Sequence, residues 1–269
     1  GDKLAGRVVS AFAQEQEDVG VFSEMGSMGL LGITIPEAYG GRGLTLVEEA
    51  VVQEELVRVN SPQLLGLFGL TMVGPVLIKH GTEVQKKQFL KNILTAEDIW
   101  CQGFSEPEAG SDLANIKTRA EVGENGFLIT GQKIWTSFAH IADYCFVLCR
   151  TSEEDKKHKG LSYLLASMDV PGISTRPLKQ ISGDDEFNEV FFDSVQVPKE
   201  NVVGDIGQGW EIAISTLMYE RVVLTFARQL QSEVALRMLL DEHRTSDRPG
   251  VQSALAEAVT EAAAFRALA

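Results

Sequence analysis

The spacing of hydrophobic residues changes twice along the chain, from a helical period to a strand period and back again. Apolar residues recur at intervals of three and four over Leu46–Leu56, which predicts an amphipathic helix. A second helical pattern covers Glu83–Leu90, and Thr82 directly before it is the predicted N-cap. Pro and paired glycines make Ile33–Gly41 a turn-rich connector. The first region is therefore predicted to be helical.

The second region is predicted to consist of strands separated by short turns. Phe127–Thr130 follows the pair Asn125-Gly126, a dipeptide that favours hairpin turns. Further strand-like segments are Asp143–Arg150, Leu161–Met168 and Asn188–Val197. Short strands with turn residues between them predict an antiparallel β-barrel or β-sandwich.

Helical spacing returns near Trp210 and predicts a third region. No Pro or Gly occurs from there to His243, and aliphatic residues recur at helical intervals, so one long helix is predicted. Arg248-Pro249-Gly250 ends this helix, and an Ala- and Glu-rich helix starts at Val251. The order of elements predicts an α+β fold. Its predicted domains are an N-terminal α-helical domain (1–98), a middle β domain (99–207) and the start of a C-terminal α-helical domain (208–269).

Composition and charge narrow the classes of function. The 269 residues include 24 Lys and Arg against 38 Asp and Glu, a formal net charge of −14. An acidic surface repels phosphate backbones, so nucleic-acid binding is not expected. The sequence has no run of about 18 apolar residues that would predict a membrane span, and its first residues lack the apolar core of a signal peptide. We therefore expect a cytoplasmic protein without a membrane span.

Cysteine and histidine spacing gives no case for a metal site. Cys101, Cys145 and Cys149 form no CxxC motif or Cys/His cluster, and the four histidines form no HExxH motif. Reduced thiols are the expected state. The GxSxG motif of serine hydrolases and the common glycine-rich phosphate loops are also missing from the sequence. Candidate chemistry must therefore come from other segments.

Two segments of the middle region combine small residues with hydroxyl groups. Gly103–Asp112 predicts a loop whose hydroxyls and free N–H groups can bind an anion or the polar edge of a planar ring. The same composition fits a Pro/Gly turn whose Ser and Asp cap their own backbone. In Gly131–Ser137, Trp135 precedes two hydroxyl residues, which suits a flat apolar wall beside hydrogen-bond donors. The alternative is a tryptophan in the strand core.

A third candidate lies in the long predicted helix. Glu220 stands among apolar residues, where desolvation is expected to raise the pKa of its carboxyl toward the value that a general base needs near neutrality. Two other interpretations stay open from the residues alone. Glu220 can form an ion pair with Arg221 or Arg228, or the helix register can turn it to solvent.

Taken together, these segments resemble the acyl-CoA dehydrogenase family. The resemblance rests on F-S-E-P-E-A-G-S-D, on G-Q-K-I-W-T-S and on F-F-D-S-V-Q-V-P-K-E-N-V-V-G, with G-L-L-G-I-T-I-P-E-A-Y-G-G upstream of them. It covers nearly the whole chain, and the order of helices, strands and helices agrees with it. Family members extend further at the C-terminus, so we expect only the first part of the last helical domain here.

The resemblance implies FAD as the cofactor and an acyl-CoA thioester as the substrate, which loses hydrogens from Cα and Cβ. Phe104 and Ser105 match positions that hydrogen-bond the flavin ring, and Ser111 matches a position near the flavin pyrophosphate and CoA. Ser137 matches the hydroxyl near the ring nitrogen that accepts hydride. The positions implied to contact the cofactor are Phe104, Ser105, Ser111, Trp135, Thr136 and Ser137, with Thr136 replacing an aliphatic residue common in the family.

The resemblance also implies the base and the partners. Glu220 matches the catalytic carboxylate of a subset resembling the isovaleryl- and long-chain-specific enzymes, in which an Arg follows it, here Arg221. Ser111 and Arg221 are the implied substrate contacts. Other members carry the carboxylate later, beyond residue 269 of this numbering. The implied partners are an electron-transfer flavoprotein and further subunits of a homo- or hetero-tetramer. A non-catalytic partner subunit and an acyl-CoA oxidase stay open as alternatives.

Overall fold

A computed structural model describes residues 24–59, 66–183, 185–246 and 248–268 of the chain. The described residues divide into two compact units: the sheet unit, within residues 1–43 and 64–217, and the helical unit, within residues 44–63 and 218–269. The helices are α1 (Leu46–Arg58), α2 (Gly74–His80), α3 (Glu83–Leu94), α4 (Gly209–Glu242) and α5 (Val251–Leu268). The strands are β1 (Trp100–Gly103), β2 (Arg119–Gly123), β3 (Gly126–Ser137), β4 (Tyr144–Arg150), β5 (Leu161–Ser167), β6 (Ile173–Pro177), β7 (Phe187–Pro198) and β8 (Val202–Val203). The predicted order of helices, strands and helices is confirmed.

The start of α3 shows how local sequence and long-range contacts cooperate in the sheet unit. Thr82 is the predicted N-cap, and it forms a capping box with Gln85, whose backbone N–H donates to the Thr82 hydroxyl at 3.2 Å. The side-chain amide of Gln85 also donates to the carbonyl oxygens of Glu200 and Val202, both at 2.7 Å. One buried glutamine therefore caps its own helix and fixes that helix to the segment leading into β8.

The eight strands form one sheet, in the order β6-β7-β3-β2-β4-β5-β8, with β1 paired to β4. Most neighbouring pairs are antiparallel, as predicted, but β1 and β2 each run parallel to β4. These two pairs depart from the predicted antiparallel arrangement. Parallel neighbours need a long crossover connection. The β2–β3 hairpin lies within the connection from β1 to β4, and that length allows the parallel pairing.

The predicted hairpin joins β2 to β3, but its turn differs from the expected one. Gly123 pairs with Gly126, so Glu124 and Asn125 form the two-residue loop and Gly126 begins β3. Gly126 has φ +127°, and a Cβ placed there would lie 2.2 Å from the carbonyl oxygen of Val197. The glycine is therefore needed because β7 approaches its backbone closely.

Apolar side chains of the sheet form the core of this unit. Phe146 and Tyr163, on the neighbouring strands β4 and β5, are stacked at a centroid distance of 5.8 Å, and Phe104 packs edge-on against both rings. Leu164, the next residue on β5, is fully buried in a separate apolar cluster with Val147 and Ile129. Because β4 and β5 are buried on both faces, they appear in the sequence as nearly continuous apolar runs.

The helical unit contains α1, the later part of α4, and α5. Arg266 on α5 lies 2.8 Å from a carboxylate oxygen of Glu233 on α4 and 3.4 Å from one of Glu54 on α1. Leu230 is buried, whereas α1 contains no fully buried residue. Across the part of the chain that the structure describes, no helix is both long and apolar enough to span a bilayer.

Candidate functional site

Two of the predicted segments lie side by side in the sheet unit. The chain leaves β1 at Gly103 and continues into Phe104 and Ser105, which lie next to β3. The backbone N–H of Ile134 donates to the carbonyl oxygen of Ser105 at 2.9 Å. The sheet therefore joins the loop after β1 to the part of β3 that contains Trp135, although the two segments are separate in sequence.

A buried ion pair strengthens this junction. The Nζ of Lys133 lies 3.0 Å from the carbonyl oxygen of Phe104 and 2.9 Å from Oε1 of Glu106. The Glu106 carboxylate also accepts the backbone N–H groups of Thr118 at 2.9 Å and Lys117 at 2.6 Å. Lys133 is 0% exposed. An ammonium group without solvent contact is tolerated only when it is paired and hydrogen-bonded, and Lys133 is both.

The environment of Glu106 favours its charged form. Burial raises the pKa of this carboxyl, but the charge of Lys133 and the hydrogen bonds from Lys117, Lys133 and Thr118 outweigh burial and hold the pKa below its ordinary value. The Glu106 carboxyl is therefore ionised at neutral pH.

A β-bulge in β3 turns Trp135 outward. Lys133 pairs with Val190 and Thr136 with Asn188, so β3 contains one more residue than β7 between these two pairs. Trp135 lies in the bulge with φ +60°, a left-handed conformation that is unfavourable for a bulky residue. Its side chain is 61% exposed. The alternative of a core tryptophan is wrong, and Trp135 presents an open aromatic surface.

Three predicted hydroxyl residues retain free hydrogen-bonding capacity. Among the described residues, the hydroxyls of Ser105, Ser111 and Ser137 form no side-chain hydrogen bond with the protein. The alternative in which the loop serines cap their own backbone is therefore not observed. Asp112 instead points its carboxylate toward Lys157, at 3.4 Å. Ser105 is partly exposed, Ser111 is exposed and Ser137 is largely buried.

Thr136 lies differently from its neighbours on β3. It is fully buried, and the side-chain amide of Asn188 donates to its carbonyl oxygen at 3.2 Å. This hydrogen bond from Asn188 fixes the backbone of β3 after the bulge. Thr136 presents no surface in this structure. Its role in cofactor contact stays a prediction.

A close approach of two chain segments explains why Gly131, the first residue of the segment Gly131–Ser137, is a glycine. A Cβ added at Gly131 would lie 2.5 Å from the Thr118 hydroxyl oxygen and 2.7 Å from the Thr118 Cα. Thr118 is the residue whose N–H donates to Glu106. Gly131 therefore lets β3 pass directly against the segment that completes the Glu106 site.

The predicted base belongs to the helical unit. Glu220 lies on α4 and is partly buried, and its Oε2 atom is shielded from solvent. Arg221, the next residue, is exposed. The helix register therefore does not turn the Glu220 carboxyl fully to solvent. Its role as base, and that of Arg221 as a substrate contact, stay predictions.

The cysteines are core residues rather than candidate nucleophiles. All three thiols are free and buried, and burial raises the pKa of Cys149 to about 12. A thiol with so high a pKa is almost entirely protonated at neutral pH, whereas the thiolate is the nucleophile. No group of three or more potential ligands suited to a metal ion occurs in residues 24–59, 66–183, 185–246 and 248–268.

Reasoning from sequence missed Lys133 and Glu106 as site residues. Both stand inside the two predicted segments, beside the aromatic and hydroxyl residues that were predicted to bind a ligand. One signal was available in the sequence. When the residues of a strand alternate between buried and exposed positions, a lysine at a buried position needs a partner for its charge. The identity of that partner, 27 residues away, was not readable from local spacing.

Two regions of the chain have counterparts in proteins of known family. The family model "Acyl-CoA dehydrogenase, N-terminal domain" matches residues 2–97, and the model "Acyl-CoA dehydrogenase, middle domain" matches residues 101–195. A solved structure named "Tcur3481-Tcur3483 steroid ACAD" superimposes with a TM-score of 0.86 at 33% identity, covering 98% of this chain and 68% of that one. The chain belongs to the acyl-CoA dehydrogenase family.

Two similar relatives come from mycobacteria. Acyl-CoA dehydrogenase IpdE1 of Mycolicibacterium smegmatis is 45% identical over 77% of this chain and 55% of that protein. Acyl-CoA dehydrogenase IpdE1 of Mycobacterium tuberculosis is 42% identical over 91% of this chain and 64% of that protein. The chain thus spans between 55% and 64% of the length of these two curated relatives.

Proposed function

We propose that the protein catalyses FAD-dependent α,β-dehydrogenation of an acyl-CoA thioester, giving the trans-2-enoyl-CoA, with Glu220 as the base. Family membership supports the reaction class. The observation that carries the proposal is the junction in the sheet unit, where the loop after β1 and the bulge of β3 are bonded together and present Trp135 and Ser105.

The chemistry of this junction fits a flavin. An isoalloxazine ring is flat, apolar on its faces and polar at its edge, so it requires an open aromatic or aliphatic surface beside hydrogen-bond donors. Trp135 offers the surface, and the hydroxyls of Ser105 and Ser137 offer donors that no described protein group occupies. Phe104, Ser111 and Thr136 are the further proposed contacts. FAD, when bound, supplies the chemistry of hydride acceptance from the substrate Cβ.

The protein side chains then have separate tasks. Glu220 removes a proton from Cα, and a partly buried carboxylate suits this task because desolvation makes it more basic. Ser111 and Arg221 are the proposed contacts to the CoA portion. Base and cofactor must act on opposite faces of the Cα–Cβ bond, so positioning contributes to the rate as much as basicity does.

The substrate test uses the protein's own colour. The purified protein is expected to be yellow and to bleach without oxygen when the correct CoA ester is added. A panel of straight-chain, branched and steroid side-chain thioesters covers the open choices; the steroid ester is included because the similar solved structure is named a steroid ACAD. Absence of FAD, or of bleaching by every ester, would contradict the proposal.

The proposed electron acceptor and assembly can be tested in the same samples. We propose that an electron-transfer flavoprotein accepts the electrons, within a homo- or hetero-tetramer in the cytoplasm. Reoxidation after bleaching is expected to be slow with dioxygen and fast with the electron-transfer flavoprotein. Rapid reoxidation by dioxygen would instead indicate an acyl-CoA oxidase. Sizing by light scattering, with FAD content per subunit, tests the tetramer.

A further inference from the structure

The ion pair between Lys133 and Glu106 makes more contacts with the loop after β1 than charge balance requires. Lys133 divides its hydrogen bonds between the Glu106 carboxylate and the carbonyl oxygen of Phe104. Phe104 directly precedes Ser105, and Glu106 directly follows it. One ammonium group therefore binds the chain on both sides of Ser105.

The other contacts of the loop complete this arrangement. The carbonyl oxygen of Ser105 accepts from Ile134, the residue after Lys133. Glu106 and Ala109 exchange two backbone hydrogen bonds, at 2.9 and 3.0 Å, which close the turn that follows. The backbone of Ser105 is thus held on each side, while its hydroxyl forms no hydrogen bond with the described residues.

We propose that Lys133 and Glu106 are positioning residues, which hold the backbone of Phe104 and Ser105 in the conformation that binds the isoalloxazine ring of FAD. This inference rests on the proposed function. A pair that only balanced charge could be exchanged for uncharged side chains of similar size without loss of function, and such exchanges are often tolerated in protein interiors. A positioning pair cannot be exchanged in this way, because the Phe104 carbonyl would lose its donor.

Three variants of the full protein separate these two roles. Lys133→Met removes the ammonium group and leaves Glu106 charged and buried. Lys133→Met with Glu106→Gln removes both charges, so that no unpaired charge remains. Glu106→Gln alone keeps the donor to Phe104. Lys156→Met is the matched control, since it removes an exposed lysine whose side chain forms no hydrogen bond or ion pair with the described residues.

The measurements are the FAD dissociation constant, the flavin absorption spectrum and thermal unfolding without FAD. We expect Lys133→Met to lower both the unfolding midpoint and FAD affinity. The double variant is expected to regain much of the midpoint and yet to bind FAD about tenfold more weakly than wild type, with a shifted spectrum. Amide hydrogen exchange at residues 105–109, measured without FAD, should be faster in the double variant and unchanged in Lys156→Met.

Two results would overturn the inference. A double variant that binds FAD within about twofold of wild type, with unchanged exchange at residues 105–109, would show that the pair only balances charge. If both Lys133 variants fail to fold, Glu106→Gln decides the part that Glu106 plays. Because Lys133 keeps its bond to Phe104 in this variant, unchanged FAD affinity together with unchanged exchange at residues 105–109 would remove Glu106 from the positioning pair and so overturn the inference as stated. Wild-type protein that binds no FAD would overturn the proposed function and the inference together. If wild type binds FAD, a negative result in the variants overturns only the inference.

Discussion

The two units hold their predicted site residues by different means. In the sheet unit, buried polar contacts between distant segments position the loop at Ser105 and the bulge at Trp135. In the helical unit, Glu220 is placed by the regular geometry of α4, one residue before the exposed Arg221. The sheet unit therefore depends on a few long-range contacts, whereas the placement of Glu220 along its helix depends on local hydrogen bonding.

This difference has a consequence for mutational sensitivity. Removing one buried partner in the sheet unit leaves another polar group without compensation, which is costly. A change of side chain at an exposed position of a helix leaves the backbone hydrogen bonds intact and alters stability little. Substitutions in the sheet unit should therefore mainly change stability and cofactor affinity. Substitutions in the helical unit should mainly change the rate of the proton-transfer step.

The largest expected effect tests the helical unit through Glu220. Glu220→Gln keeps the size of the side chain and removes the base, so turnover should fall by about 10²–10⁴-fold while FAD stays bound. Stopped-flow bleaching with the best CoA ester measures the rate, and absorbance measures the flavin. Glu242→Gln, an exposed carboxylate on the same helix, is the matched control. Turnover retained by Glu220→Gln would refute the base assignment.

The second effect contrasts packing in the two units. Leu164→Ala in the sheet core, where the residue is 0% exposed, should lower the free energy of unfolding by about 2–5 kcal/mol. Met238→Ala on α4, where the residue is 68% exposed, should change it by less than about 0.5 kcal/mol. Denaturant unfolding measures both. Equal losses in the two variants would break the contrast.

A third effect isolates the bulge of β3. Trp135→Ala removes an exposed ring, so thermal stability should change little while FAD affinity falls about tenfold. Flavin fluorescence titration measures the affinity. Val122→Ala, which also removes exposed apolar surface from the sheet unit, is expected to leave FAD binding unchanged. The aromatic contact would be excluded if Trp135→Ala bound FAD as wild type does.

The smallest effect concerns pH and Glu106. Because the pKa of its carboxyl is lowered in the folded state, its contribution to stability is present above the ordinary glutamate pKa of about 4.3 and is lost as pH falls through the folded value. The difference in unfolding midpoint between wild type and Glu106→Gln should thus be largest near neutrality and shrink in acid. Glu121→Gln, an exposed carboxylate on β2, controls for general charge effects. A difference that grew in acid would contradict the pKa shift.

Local features account for the predictions that were confirmed. Thr82 and Gln85 form their capping box within one turn, and the period of apolar residues along α4 needs no distant partner. The hairpin between β2 and β3 is equally local, although its loop is Glu124-Asn125. That detail depended on β7, since the approach of Val197, together with a φ of +127°, requires glycine at position 126.

Long-range pairing accounts for what was missed or stays untested. The parallel pairing of β1 with β4 joins segments separated by a whole hairpin. The outward orientation of Trp135 follows from the register of β3 against β7. The burial of Lys133 depends on its ion pair with Glu106. None of these contacts has a signature within a short window of residues.

The amino-acid order alone was sufficient for the α+β class, for the family and for the positions of the motifs, because periodicity, caps and short motifs are local properties. Tertiary structure alone decided that Trp135 is exposed, that Lys133 and Glu106 are buried together and that Ser105 is held between them. Burial and electrostatic pairing depend on which distant segments the sheet brings into contact, and only the folded chain specifies those neighbours.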